Sequence, residues 1–354
     1  MRRALSLDTT ARAGSQKSRR ILGDSHYASH LGDQCDTLES AMSRRRLGWL
    51  IPLSRKIGVL RGVAGFLIGR SYELIVIAHH ERGGLSLLFL QAFLGSRRRR
   101  LMLVQFITQR GSGLKRLLYP IIFRLLFRPA VRRAMTLGLV LTAWEVEHYA
   151  AMFGVPAVRF HFVPWPLNEG IMRLPPAAVE AVGVVSSGRT ACDWQTLFRA
   201  AEGRTWPLTV ICGRRDLDLV QKLNRAGRAR VLCEISVEEH RKYVASAAVY
   251  VLSLTNKEFS SGQIRMMHAI STGTPVVATK VRGLEGYCIS GVTAAVVPPE
   301  DPIALRASIE RLLDHPEERE QLRRTAFEHT RGETFDRYYQ KVAAAAAALL
   351  DSSA

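Results

Sequence analysis

"SSGQIRMMHAISTGTPVVATK", residues 260–280, sets two serines and a glycine before a helical run. It closes that run at Gly273 and continues into an apolar strand pattern, "PVVAT". A helix N-terminus leaves backbone N–H groups without intrahelical acceptors, and such groups attract an anion. A helix delivered straight into a buried strand is half of a strand–helix–strand unit, which implies a parallel sheet.

The units on either side repeat the pattern. Upstream stand "EAVGVVSSGR" (180–189) as strand and turn, "CDWQTLFRAA" as helix, and "PLTVICG" (207–213) as strand. "DLDLVQKLNRAG" reads as helix, "ARVLCEI" as strand, "SVEEHRKYVASA" as a helix capped by Ser236, and "AVYVLSL" as strand. Downstream come the turn-rich "GLEGYCISG", the strand "TAAVVPP", and a helix with Asp301 as N-cap and Pro302 at its first position. "PEEREQLRRTAFEHTRG" and the alanine-rich "KVAAAAAALL" are two closing helices. The first half carries the same alternation more faintly, in "RRILGDSH", "SYELIVIAHH", "LSLLFLQAFLG", "RRRRLMLVQFIT", "LVLTAWEVEHYAAMFG" and "VRFHFVPWP". The proline-bearing 166–176 reads as a linker. Two α/β halves result, 21–165 and 177–354, behind a tail over 1–20 read as mobile and uncleaved, because its basic residues lack an apolar core.

Charge divides the chain in the same place. Residues 1–165 hold 26 Lys and Arg against nine Asp and Glu, whereas residues 166–354 hold 24 against 22. Between Gly83 and Trp144 there is no acid and there are eleven bases, a surface for phosphate or anionic lipid. Within it, "GSGLKRLLYPIIFRLLFRPAVRRAM" sets Arg124, Arg128 and Arg132 at four-residue spacing among leucine and phenylalanine, one stripe of a helix suited to a membrane interface. Pro120 and Pro129 argue against one straight helix. The bases alternate with aliphatics rather than stacking aromatics, so a specific nucleic-acid partner is not expected. The five scattered cysteines fit a reducing cytosol rather than a disulfide frame or zinc site.

At this point the second half resembles the C-terminal domain of retaining nucleotide-sugar glycosyltransferases of the GT-B fold, the group 1 or family 4-like enzymes. The resemblance is carried in order by "SSGRTACDWQTLFRAA", "AISTGTPVVATKVRGLEGY", "GVTAAVVPPEDPIALRASIERLLDHPEERE" and the closing helices, with "HYAAMFGVPAVRFHFVPWP" ending the first half. It covers roughly residues 137–345; earlier residues agree only in architecture. It implies an α/β GT-B chain with two Rossmann-like domains facing a cleft, the last helix packing back on the first domain. It also implies transfer of a sugar from a nucleoside-diphosphate donor with retention of anomeric configuration, to a lipid-linked glycan or polysaccharide precursor. The place would be the cytoplasmic face of the membrane.

By the same resemblance the donor site comprises Gly188, Arg189, Ser260, Ser261, Gly262, Gln263 and His268. Arg189 holds the position of a diphosphate-binding base, and a guanidinium fork suits phosphate oxygens. Gly262 is expected to let the backbone approach the diphosphate. No cofactor or metal is implied, since Arg189 and the helix terminus would neutralise the leaving group.

The chain departs from the family twice. The usual lysine after Arg189 is missing, with Asp193 and Trp194 nearby. The usual pair of glutamates is replaced by Ser260 and His268, which leaves open a catalytically inactive homologue that binds a nucleotide sugar or a membrane. "HHERGG" (79–84) offers His80 and Glu81 as acceptor-side polar contacts. His79 and His80 are poor joint metal ligands because consecutive strand residues point opposite ways.

Overall fold

The computed structural model describes residues 20–23, 25–32, 34–78, 83–95, 99–108, 114–167 and 183–351. Its first half holds a sheet of β1 (Ile21–Gly23), β2 (Cys35–Thr37), β3 (Leu74–Ala78), β4 (Arg100–Val104), β5 (Met135–Val140) and β6 (Phe160–Phe162), all parallel, in the order β2-β1-β3-β4-β5-β6. The second half holds β7 (Val184–Gly188), β8 (Leu208–Cys212), β9 (Ala229–Cys233), β10 (Val249–Leu252), β11 (Val276–Thr279) and β12 (Ala295–Val297), in the order β12-β11-β10-β7-β8-β9. Central strands such as "LIVIA" and "VYVL" are buried at every residue. Continuous apolar runs of this kind are required when helices cover both faces of a sheet.

Every strand expected from the sequence is present. β2 and the helices Leu38–Arg44, Ile51–Lys56 and Gly58–Ile68 were not anticipated. β2 is a three-residue edge strand, "CDT", too short and polar to announce itself. Its buried Asp36 accepts from the Tyr72 hydroxyl at 2.6 Å and pairs with Arg44.

The closing helix Phe335–Asp351 lies on the first sheet. Tyr338, Val342, Ala346 and Leu350, four residues apart, form one stripe against Ile21, Leu74, Val76 and Met102. The alanine run therefore does more than favour helix: its small side chains let this helix pack close to the sheet.

The stretch 114–134 is one continuous helix with a π segment, Phe123–Phe127, between two α segments. The Arg128 N–H reaches back five residues to the Phe123 carbonyl. The wider turn lies just ahead of Pro129, which brings no N–H of its own. So the prolines do not break the helix, but the π segment interrupts its regular α turns ahead of Pro129.

Strand order in the second sheet reverses between β7 and β10. Open parallel sheets bind ligands outside the carboxyl ends of the strands at such a switch point.

Candidate functional site

A cavity of about 700 Å³ opens at this switch point. Its walls come from the turns after β7, β8, β9 and β10 and, across the cleft, from Gln105, Ile107 and Leu141, which follow β4 and β5. The carboxyl ends of both sheets thus face one space. The turn Arg282–Tyr287 of the second half ties to the first half beside it. The Tyr287 hydroxyl donates to the Leu141 carbonyl at 2.7 Å and accepts from the Trp165 N–H at 2.6 Å.

Gly188, Arg189, Ser260, Ser261, Gly262 and Gln263 all line the cavity. Gly188 ends β7, and a side chain there would overlap the Arg265 guanidinium and the Cys192 sulfur. Arg265 uses that space to donate to the Ser187 carbonyl and, at 3.0 Å, to the Thr190 carbonyl, so it shapes the turn that carries Arg189.

The Arg189 side chain is 68% exposed over the cavity and its Nη2 lies 3.2 Å from Glu234 Oε2. Glu234 is held in turn by the Arg214 N–H at 3.1 Å. An ion pair this exposed contributes at most about 1 kcal/mol, and an incoming anion can displace it.

The serine–glycine turn differs from the simple cradle expected of it. The Ser260 N–H is already taken, at 2.9 Å, by Oε1 of Glu145 from the first half. The Ser261 N–H donates to the Gly283 carbonyl at 3.3 Å. The amides left for an anion are therefore those that open the helix Gln263–Ser271, whose N-cap Gly262 supplies no side-chain acceptor. Ser260 Oγ and Gln263 Oε1 are buried without a hydrogen-bond partner and add polar capacity.

Gly262 has φ +95°, and a Cβ there would meet Leu254 Cδ1 at 2.5 Å and Leu284 Cδ2 at 3.2 Å. The left-handed backbone and the core packed beside it already demand glycine here, before any ligand comes close.

His268 is not on the cavity wall. It lies on the same helix face as Ile264 but one turn, about 6 Å, deeper. There it packs against His240 with ring centroids 5.3 Å apart. Neither nitrogen of His268 has a partner. Burial first, then the neighbouring His240 and Arg241, push its pKa down to about 4, so the ring is neutral.

The residue that does reach the cavity is His240, which the sequence reading passed over. Its Nε2 lies 2.8 Å from Ser187 Oγ, itself 2.5 Å from the Tyr250 hydroxyl. Burial, then Arg265 and Arg189, lower its pKa as well. The signal was a histidine on the inner face of "SVEEHRKYVASA", unremarkable until the fold sets that face beside β7.

Glu145 is the second residue missed. It is fully buried, and all its partners are donors: the Leu141 and Thr142 N–H groups, both 3.1 Å from Oε2, the Tyr149 hydroxyl at 3.0 Å and the Ser260 N–H. Burial raises its pKa, while the Ser260 N–H, the Tyr149 hydroxyl, the Leu141 N–H and the Ser260 hydroxyl pull it back. A set made only of donors is that of a carboxylate.

His80 and Glu81 lie outside the described residues. Arg124 and Arg132 are exposed, whereas Arg128 turns inwards and its Nε donates to the Phe153 carbonyl at 3.2 Å, capping the helix Trp144–Phe153. The three arginines are thus not one free stripe. Among the described residues, no helix is long and apolar enough to cross a membrane, and no group of three or more His, Cys, Asp or Glu is placed to hold a metal ion.

Comparison with known proteins agrees with this geometry. Residues 193–315 match the family described as glycosyl transferases group 1. A D-inositol 3-phosphate glycosyltransferase of Arthrobacter sp. (strain FB24) is 29% identical over 187 residues, 51% of this chain and 41% of that protein. The chain thus spans less than half the length of this relative. Among solved structures, sucrose-phosphate synthase from Thermosynechococcus elongatus superimposes with a TM-score of 0.62 at 20% identity, covering 84% of this chain and 80% of that one. Anabaena HepE in complex with UDP-glucose gives 0.62 at 15% identity, covering 93% and 91%. At these identities the structural likeness speaks for the fold: two parallel six-stranded sheets in the GT-B arrangement, with a region of the second half similar to the group 1 glycosyl transferases.

Proposed function

We propose that the chain is a glycosyltransferase that takes its sugar from a nucleoside-diphosphate donor, with 177–354 as donor domain and 21–165 as acceptor domain. The observation that carries this reading is the cavity at the switch point, with Arg189 on one wall and the opening amides of the helix Gln263–Ser271 on another. The diphosphate lies between them, and as it leaves, its growing charge is met by the guanidinium and the helix terminus. His240 and Ser187 face the same space and offer hydrogen bonds to donor hydroxyls. His268 supports His240 from behind instead of touching the donor. The resemblance to group 1 enzymes supports retention of configuration. The solved complexes of HepE make uridine nucleotides the first donors to try.

A screen of nucleotide sugars for thermal stabilisation tests the reading, since a ligand of the native state raises Tm. Arg189→Ala weakens binding of the best donor by about 1.5–3 kcal/mol, the worth of hydrogen bonds to a charged group. It weakens the free nucleoside diphosphate equally, because the contact is to phosphate. Unchanged affinity for the diphosphate removes Arg189 from the site.

We further propose that the acceptor domain works against an anionic membrane surface, where a lipid-linked acceptor is presented. Supporting this, Ile121, Ile122, Leu125 and Leu126 are exposed beside Arg124 and Arg132, and Phe93 and Leu94 are exposed on the helix Gly84–Leu94. Arg133 lies over the Phe93 ring at 5.7 Å, tying the two helices into one basic and apolar face. Arg124→Gln with Arg132→Gln, leaving Arg128 in its cap, reduces binding to phosphatidylserine vesicles about 30-fold, at roughly 1 kcal/mol per arginine. Added salt weakens the wild type and brings it towards the variant. Retention of the double variant at wild-type strength excludes these arginines as the anchor.

A further inference from the structure

Three of the four hydrogen bonds to Glu145 come from its own half: the Leu141 and Thr142 N–H groups and the Tyr149 hydroxyl. The fourth crosses the cleft to the Ser260 N–H, 115 residues away in sequence. Ser260 directly precedes the segment whose amides open on the cavity. Other bonds cross at the same place, from the Ala143 N–H to the Glu285 carbonyl at 3.2 Å and from Tyr287 to Leu141.

From this geometry we propose that Glu145 is a positioning residue that forms the anion cradle only when the two halves are closed. Its carboxylate is locked to the first half and presents a single free acceptor direction to the second. Closing the cleft brings the Ser260 N–H onto that acceptor and fixes the turn Ser260–Gln263, so that the next amides converge on the cavity. Opening removes the acceptor and leaves the turn without its main tether. Coupling of this kind is reciprocal, so an anion in the cradle must also tighten the segment around Glu145. This ligand-linked half rests on the donor-site reading above; the ligand-free half does not.

The choice of variant follows from the donor set. In Glu145→Gln the side-chain oxygen satisfies the Leu141 and Thr142 N–H groups, which turns the NH2 group towards Tyr149 and Ser260. The Tyr149 hydroxyl can rotate and accept, but a backbone N–H cannot. The variant therefore loses the bond from the Ser260 N–H, the one that hydrogen exchange reads, even where its NH2 group turns to the Ser260 hydroxyl. Tyr149→Phe is the control: it removes a bond to the same carboxylate but keeps the one to Ser260.

Hydrogen exchange read by mass spectrometry on the full chain tests this without ligand. Glu145→Gln speeds exchange of residues 259–264 at least tenfold and leaves β10 and β11 unchanged. Tyr149→Phe leaves 259–264 at the wild-type rate. Unchanged exchange of 259–264 in Glu145→Gln overturns the proposal. So does equal loosening by Tyr149→Phe, or a uniform rise over both halves.

A second measurement needs only the wild type, and so stands even where the variant does not fold. UDP slows exchange of residues 141–150, in the half opposite its binding site. UDP that protects 260–264 but leaves 141–150 unchanged also overturns the proposal. UDP that protects neither segment counts against uridine as donor, and the ligand-free comparison then decides the role of Glu145.

Discussion

Gly262→Ala destabilises the second half by about 2–6 kcal/mol, before any ligand is considered. Two independent costs add. A non-glycine residue at φ +95° carries about 1–3 kcal/mol of backbone strain. A Cβ 2.5 Å from Leu254 Cδ1, in a side chain with no exposure, forces the core beside β10 to shift, for about another 1–3 kcal/mol. For a unit of this size the loss lowers Tm by on the order of 10 °C. Gly291→Ala separates the two costs, because Gly291 has φ +73° with nothing within 4 Å of the added carbon. It loses only the backbone part, so its Tm falls by about half as much. Equal shifts in the two variants mean that Leu254 yields freely, and an unchanged Tm for Gly262→Ala contradicts the left-handed turn itself. Loss of nucleotide binding by a variant at Gly262 consequently says little about the cradle unless folding is measured beside it.

The same glycine marks how far the sequence could be read. Strand–helix alternation was legible because buried parallel strands need continuous apolar runs, and "TPVVATK" and "AVYVLSL" have them. Gly188 and Arg189 were legible as the end of β7. The polar interior was not. Glu145 looks like any first-turn acid of "AWEVEHYAAMFG", and its partner Ser260 stands in the other sheet. His240 belongs to a helix whose exposed face is charged, and only the fold sets it against Ser187 and Tyr250. Arg128 fits a four-residue stripe in sequence but is drawn inwards by the unpaired carbonyl of Phe153. In each case a local pattern was recognised and the partner decided the role.

His268 shows the partner's influence in a measurable form. Its ring is neutral in the native state down to about pH 4, whereas in the unfolded chain it takes up a proton near the ordinary histidine value of about 6.5. Between those values the unfolded state binds more protons, so stability rises with pH and is lost as pH falls. Ordinary carboxylates titrate below about pH 4.5, and Glu145, raised by burial, is common to both proteins and cancels in their comparison. In the window from 6.5 to 5 the difference between wild type and His268→Leu therefore isolates His268. Across it His268 removes about 2 kcal/mol, at about 1.4 kcal/mol per pH unit. His240, depressed in the same direction by burial and by Arg265 and Arg189, adds to the slope. His268→Leu keeps only the His240 part of the slope, so its urea midpoint falls less steeply from pH 6.5 to 5 than that of the wild type. Its absolute stability at neutral pH need not drop, because neither nitrogen of the native ring has a hydrogen bond to lose. Parallel pH profiles for the two proteins show instead that the ring is reached by solvent or by a counter-charge. A histidine that titrates in this way would stand where solvent or a counter-charge reaches it, and not packed behind His240.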